Sequence, residues 1–212
     1  MFALLMAAAM AAAPSGLDAA RDRQDVPTLQ KLAAEYSAAA ARAPKDADAQ
    51  YRMALAYSDL AEVAQELRDK TRARQAAEQG IRAAEKAVAL RPDAENYRLL
   101  GTLYGQAITD IISGLSYGAR AKSAINKAVE LAPKSASVYV ARGVGNYYLP
   151  SQLGGGYEAA ASDFRKAIGI DPKNAEAYLW LGLSLRKLNR NALRGQVGSV
   201  LFSSGGQEGD LP

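Results

Sequence analysis

Four short segments that end in proline recur along the chain and constrain its fold more than any other feature. The prolines are Pro44, Pro92, Pro133 and Pro172. Nine or ten positions after each one comes a small residue, and these residues are Ala54, Gly101, Gly143 and Gly182. Because proline cannot continue a helix and a small residue lets a neighbouring helix approach, each segment predicts a helix end, a turn and a new helix. The sequence therefore predicts stacked helical hairpins with one continuous core.

The composition argues against most kinds of enzyme. The 212 residues include no cysteine and no histidine. This excludes disulfides, thiol nucleophiles, imidazole bases and the usual zinc ligand sets. The Ser184-x-x-Lys187 spacing occurs in some acyl enzymes, but its companion motifs are missing, so chance explains it better. We predict a protein that is not an enzyme and has no cofactor or metal.

The two ends of the chain differ from its middle. Residues 1–13 are uncharged and apolar, too short to span a bilayer, and resemble a secretory signal peptide. This predicts a periplasmic or secreted protein; the alternative is an apolar, disordered start on a cytoplasmic one. Residues 14–26 read as a polar linker. Residues 191–212 become rich in glycine and serine and predict a mostly disordered tail.

Apolar residues at three- and four-residue spacings predict eight helices between these ends. Their expected bounds are 27–43, 47–68, 70–91, 94–117, 119–132, 136–149, 157–170 and 174–190.

Residues near the end of the array carry a family resemblance. The matching positions are Ala160, Phe164, Ala167 and Pro172 in one helix, and Tyr178, Leu181, Gly182 and Leu185 in the next. Together they resemble the second and first helices of a tetratricopeptide repeat. The resemblance implies an all-α helix-turn-helix repeat solenoid over residues 27–190, with about four repeats in a right-handed superhelix. It also implies a role in binding other proteins.

The chain departs from the standard repeat of 34 residues. The prolines are 48, 41 and 39 residues apart, and an insertion occupies 149–156. The last repeat lacks a second helix that ends in proline, so its core face is either capped by the tail or left for a partner. The long helices are also distantly similar to the periplasmic T component of tripartite transporters.

The resemblance implies which residues line the concave groove of the array. Positions 5 and 12 of the first helices, with neighbouring residues, give the candidate binding residues Tyr51, Arg98, Val140, Arg142, Tyr147, Tyr148, Leu179 and Arg186. They suit an amphipathic helix, an extended peptide or an elongated apolar ligand with an acidic end. The alternative is that the apolar members pack against the tail or against a second copy.

Charge and glycine patterns leave two further alternatives. Residues 18–118 hold 14 basic and 15 acidic side chains, whereas residues 119–194 hold 12 basic and 5 acidic ones. This asymmetry either steers an anionic partner or reflects solvated helix faces. The glycines 154–156 precede a helix as in a phosphate site, but no Lys-Ser or Lys-Thr follows, so a flexible turn fits better.

The function that follows is a non-enzymatic scaffold for a protein or peptide partner. The alternative is a periplasmic carrier of an elongated apolar or acidic small ligand. Assembly into a homo-oligomer through the incomplete last repeat is a third hypothesis. Nucleic-acid binding is not expected, because the basic residues lack interleaved stacking aromatics.

Overall fold

The regular structure of the chain is helical throughout the described part. The computed structural model describes the backbone of residues 15–204 and the side chains of residues 16–189. The predicted signal segment lies outside these residues. Within them, the α-helices are α1 Ser15–Asp22, α2 Val26–Arg42, α3 Ala47–Glu66, α4 Lys70–Leu90, α5 Ala94–Gln106, α6 Ile111–Leu131, α7 Ala136–Tyr148, α8 Tyr157–Ile170 and α9 Ala175–Ser204. A short 3-10 turn covers Ser151–Leu153. The predicted all-α class is confirmed.

The helices form two compact units. Of the described residues, the first unit contains those up to Pro92 together with Gln106–Tyr117, and the second contains Asp93–Gly105 and those from Gly118 onward. Consecutive helices pack as hairpins, α3 with α4 in the first unit and α7 with α8 in the second. This is the arrangement of a helical repeat protein, as predicted.

Small side chains build the core of the first unit. On α3 and α4 the residues that are fully or almost fully buried are mostly alanines, including Ala54, Ala61, Ala77 and Ala84. Because an alanine projects only one methyl group, two helices that meet through alanines can approach closely. The long hairpin α3/α4 is therefore held by close backbone approach as well as by bulk apolar volume.

Aspartate residues fix the starts of several helices. The carboxylates of Asp25, Asp46 and Asp69 accept hydrogen bonds from backbone amides in the first turns of α2, α3 and α4. Such caps satisfy amides that have no partner inside the helix. The helix starts therefore follow directly from these side chains.

The first unit corrects the predicted linker. Residues 15–22 form α1, which packs against α2 and α3. Leu17 and Ala20, one helical turn apart, are buried at 1% and 0% exposure. Burial of this pair explains why a short polar segment becomes helical.

A second correction concerns the connection between α5 and α6. We predicted helices over 94–117 and 119–132, but the break lies at 107–110 and Gly118 is inside α6. The amide of Ser113 donates to Asp110 Oδ1 at 2.7 Å, and the Ser113 hydroxyl accepts from the amides of Thr109 and Asp110, each at 3.0 Å. This capping arrangement starts a new helix, whereas an internal glycine only weakens one.

The last helix is longer than predicted. The expected helix ends at 190, whereas α9 continues to Ser204. No proline occurs between 173 and 211 to stop it, and internal glycines are tolerated at a cost of about 1 kcal/mol each. The predicted tail beyond Ser204 lies outside the described residues.

Candidate binding surface of the second unit

The end of α7 is where the predicted site residues come together. Val138, Tyr139, Val140 and Gly143 turn inward and are buried. Gly143 lies against Phe164 of α8: a Cβ added at this glycine would come within 2.5 Å of the ring. The next two turns of α7 carry Tyr147 and Tyr148, at the point where the insertion begins. α7 is thus buried over its first part and carries a pair of tyrosines at its C-terminal end.

Tyr147 is the centre of an aromatic cluster. Its ring centroid lies 5.2 Å from that of Tyr148, 5.1 Å from that of Tyr157 and 5.3 Å from that of Trp180, all in edge-to-face geometry. Trp180 in turn stacks on the core residue Phe164 at 6.2 Å and 14°. Aromatic pairs of this kind stabilise by about 0.5–1.5 kcal/mol each beyond the area that they bury. The cluster therefore holds its rings in fixed positions.

One edge of this cluster is open to solvent. Tyr148 is 71% exposed although its ring lies 6.1 Å from Trp180, and Leu179, which precedes Trp180, is 63% exposed. Arg186 is exposed two turns further along the same helix. We call Tyr148, Leu179 and Arg186 the tyrosine–leucine surface. It combines two apolar side chains with one cation on a rigid base.

The inserted loop is a hydrogen-bonded turn. The amides of Gly154, Gly155 and Gly156 donate to the carbonyl oxygens of Ser151, Pro150 and Asn146. Gly154 and Gly156 have φ values of +80° and +104°, which favour glycine. Because all three amides already have acceptors, the loop does not offer them to a phosphate. The turn is as predicted, and the phosphate reading has no support.

Two of the predicted cationic site residues are held in ion pairs. Arg142 donates through Nε and Nη2 to Asp163 of α8, at 2.9 and 2.5 Å, and Arg98 pairs with Glu95 one turn earlier on α5. The hydrogen bonds to Asp163 raise the pKa of Arg142 above its usual value, against the effect of burial. Both arginines therefore hold structure within the second unit, and Arg186 is the cation that the surface presents.

The remaining predicted residues lie elsewhere. Val140 is 5% exposed and belongs to the core around Phe164. Tyr51 is half-buried on α3 and belongs to the first unit. Ser184 is fully buried, and its hydroxyl donates to the Trp180 carbonyl at 2.9 Å, which agrees with a chance origin for the Ser-x-x-Lys spacing.

Sequence reasoning missed Trp180 and Tyr157 as parts of the site. Both are aromatic, which is the signal that could have drawn attention to them, but their spacing from Tyr147 says nothing about contact. The cluster exists because α7, α8 and α9 pack together in the second unit.

The described part of the chain was compared with the requirements of a metal site and of a membrane-spanning helix. There, no three or more acidic side chains converge as ligands for an ion. The helices of the same part include none with the length and hydropathy of a membrane span.

Comparison with known proteins supports the fold. Residues 153–189 match the family model described as TPR repeat. No curated protein matches the chain. Among solved structures, the HusA haemophore from Porphyromonas gingivalis has a TM-score of 0.55 at 20% identity, over 82% of this chain and 94% of that one.

Two further structures are similar at lower scores. MamA 41-end from Desulfovibrio magneticus RS-1 has a TM-score of 0.49 at 17% identity, over 93% of this chain and 100% of that one. Yeast Tom70 has a TM-score of 0.49 at 19% identity, over 83% of this chain and 31% of that one. At these identities the likeness concerns the fold alone, and the similarity to transporter T components stays a prediction. The predicted resemblance is confirmed where it was drawn: the chain carries a tetratricopeptide-repeat segment at residues 153–189.

Proposed function

We propose that the chain is a non-enzymatic scaffold that binds a segment of a partner protein on the tyrosine–leucine surface. One observation carries the proposal: Tyr148 is 71% exposed on a cluster whose other rings are packed, and Leu179, which precedes the cluster residue Trp180 on α9, is 63% exposed. Tyrosines on a rigid base lose little side-chain entropy when they bind, and they are enriched where interfaces are strongest. The repeat segment, which includes α8 and the described part of α9 nearest to it, supports a role in protein interaction.

The chemistry of this surface defines the partner segment. Leu179 and Arg186 are seven residues apart on α9, so they lie on one face about two turns, or roughly 10 Å, from each other. A segment with apolar side chains and a carboxylate at that distance would match both. Residues 119–194 carry 12 basic and 5 acidic side chains, which favours an acidic partner and faster association at low salt. We therefore propose an acidic segment with one or two large apolar residues.

The location of this partner follows from the N-terminal segment. If residues 1–13 direct export, the partner is periplasmic or secreted. N-terminal sequencing of the chain produced in cells tests the proposed export separately. An uncleaved, cytoplasmic product would refute export but would leave the proposed binding on the tyrosine–leucine surface untouched.

A random peptide library displayed on phage tests the binding proposal. Selection on the full chain should enrich peptides that combine acidic with large apolar residues. The Tyr148→Ala/Leu179→Ala variant should bind a selected peptide at least about 10-fold more weakly, because each apolar side chain contributes on the order of 1 kcal/mol or more at an interface. Isothermal titration calorimetry measures the change.

Leu131→Ala is the matched control. Leu131 is 45% exposed at the end of α6 in the same unit, and its removal should leave peptide affinity unchanged. Arg186→Glu should weaken acidic peptides and flatten the salt dependence. Equal affinity for the Tyr148→Ala/Leu179→Ala variant and the parent chain would refute the site.

A small-ligand carrier is the second candidate function. The first unit has an open groove of about 460 Å³ beside α2, α3 and α4, lined by Tyr57 and Leu60 among several glutamines. Because this groove is open, a ligand bound there would keep part of its surface in water, unlike one in an enclosed site. Native mass spectrometry of the purified chain separates the two candidates: a retained small molecule supports the carrier, and an empty chain supports the scaffold.

A further inference from the structure

The last repeat presents a face that the earlier repeats bury. A Cβ placed on Gly101 would come within 2.5 Å of Ile125 on the following helix, and one on Gly143 within 2.5 Å of Phe164. At Gly182, the equivalent position of α9, nothing lies within 4 Å. Among the described residues of the second unit, α5 and α7 thus each meet a second helix at this position, and α9 meets none.

The large residues beside Gly182 are also more exposed than their equivalents in the earlier repeats. Tyr139 of α7 is 1% exposed, whereas Tyr178, four residues before Gly182 as Tyr139 is before Gly143, is 52% exposed. Tyr104, three residues after Gly101, is 5% exposed, whereas its equivalent Leu185 is 38% exposed. We call Tyr178, Gly182 and Leu185 the open face of α9. Its residue types are those of a buried helix contact.

The continuation of α9 as far as Ser204 does not cover this face. α9 runs for 30 residues, a length of about 45 Å. A helix that continues in its own direction carries its second half away from the face of its first half. Within the described residues, the same chain therefore supplies no covering helix, and a second molecule can supply one.

We propose that a second copy covers the open face with residues 191–204 of its own α9, in a reciprocal two-fold dimer. In such a pair the two α9 helices lie antiparallel, and every contact between residues i and j occurs twice. Pairing Gly182 with Phe202 of the second copy would centre the two-fold axis near residue 192.

The sequence favours this occupant over an unrelated partner. Phe202 follows the small residue Gly198 by four positions, as Phe164 follows Ala160 in the helix that covers Gly143. Two positions of the second-helix pattern, a small residue and a phenylalanine four residues later, thus recur in the same chain after Gly182. Leu179 and Arg186 lie three residues before and four residues after Gly182 on α9, so this dimer would compete with the proposed partner binding. The mass of the chain alone tests the dimer, whereas peptide affinity tests the partner.

The mass of the full chain in solution tests the proposal. Light scattering coupled to gel filtration should give twice the chain mass, and Leu185→Glu should reduce it to one chain, because the dimer would bury this charge. Leu131→Glu, a similarly exposed leucine outside the open face, should leave the dimer intact. Circular dichroism should show unchanged helix content in both variants.

Cysteine cross-linking identifies the covering segment. The chain has no cysteine, so Gly182→Cys combined with Phe202→Cys introduces one defined pair. We expect an oxidised product of two covalently linked chains, since a disulfide needs Cβ atoms about 3.5–4.5 Å apart. Three results would each overturn the proposal: a monomeric parent chain, a dimer that Leu185→Glu does not affect, and a disulfide formed within one chain. The third result would show that the end of the chain folds back on its own open face.

Discussion

The guanidinium of Arg142 and the carboxylate of Asp163 join α7 to α8 through two hydrogen bonds, at 2.9 and 2.5 Å. Asn146 adds a third to the same carboxylate, at 2.9 Å. The Asp163 side chain is only 6% exposed, whereas that of Arg142 is 32% exposed. Arg142 thus neutralises a buried charge in the middle of the repeat.

Removing the arginine should therefore destabilise the second unit. A buried carboxylate that loses its partner costs about 3–5 kcal/mol, and the partial exposure of Arg142 brings our expectation for Arg142→Ala to about 2–3 kcal/mol. Urea unfolding measures this loss. The double variant Arg142→Leu/Asp163→Leu should recover most of it, because no unpaired charge remains. Lys127→Ala, which breaks the exposed ion pair Lys127–Glu130, is the control. A smaller loss of stability for Arg142→Ala than for Lys127→Ala would contradict this prediction.

Two glycines of α7 should respond in opposite ways to alanine. At Gly143 the new methyl group would meet the buried ring of Phe164, whereas at Gly145 nothing lies within 4 Å. Overpacking costs about 1–3 kcal/mol, while alanine gains up to about 1 kcal/mol over glycine in a helix. We expect Gly143→Ala to lower the midpoint of thermal unfolding and Gly145→Ala to raise it. If both variants shift the unfolding midpoint in the same direction, contact with Phe164 does not determine the effect of alanine at position 143.

The close approach at Gly143 could be predicted from the sequence, and the role of Arg142 beside it could not. A small residue at a fixed distance after a helix-ending proline is a local pattern, and in a helical repeat it indicates the place where two helices approach closely. The carboxylate that pairs with Arg142 lies 21 residues away, across an insertion of unusual length. Only the packing of α7 on α8 brings the two together, so the sequence reading left Arg142 at the edge of a groove.

The site shows the same division between local and distant information. Tyr147 was predicted from its position 12 in a first helix of the repeat, and Tyr148 as its neighbour beside the insertion. Trp180, 33 residues beyond Tyr147, joins them only through the packing of α9. The break before α6 was predicted at the wrong place, at Gly118, whereas Asp110 and Ser113 carry the capping signal.

Ser113 should be the residue that starts α6. It is 5% exposed, and its hydroxyl accepts two backbone amides while its own amide donates to Asp110. Loss of a helix cap costs about 0.5–2 kcal/mol, so Ser113→Ala should destabilise the first unit by about that amount. Chemical denaturation checks the value. Ser116→Ala, at an exposed position of the same helix, should change stability by less than about 0.5 kcal/mol; equal effects would remove the special role of Ser113.

Asp59 of α3 should make the first unit less stable as the pH rises. Its side chain is buried, and burial raises its pKa to about 7, although the nearby Arg21 acts in the opposite direction. In the unfolded chain the pKa is near 3.8, so between about pH 4 and pH 7 the unfolded state loses the Asp59 proton while the folded state keeps it. The unfolded state then binds fewer protons, and the free energy of unfolding falls with rising pH, by at most ~4 kcal/mol.

Asp59→Asn removes this titration while keeping the shape of the side chain. Relative to the parent chain, the variant should therefore gain stability steadily from pH 4 to pH 7 and gain little more above it. Urea unfolding at several pH values, expressed as the difference between the two proteins, isolates Asp59 from the other carboxylates. Glu35→Gln, at an exposed position on α2, serves as the matched control. A flat difference for Asp59→Asn would mean that the carboxylate is ionised in the folded chain, with Arg21 outweighing the cost of burial.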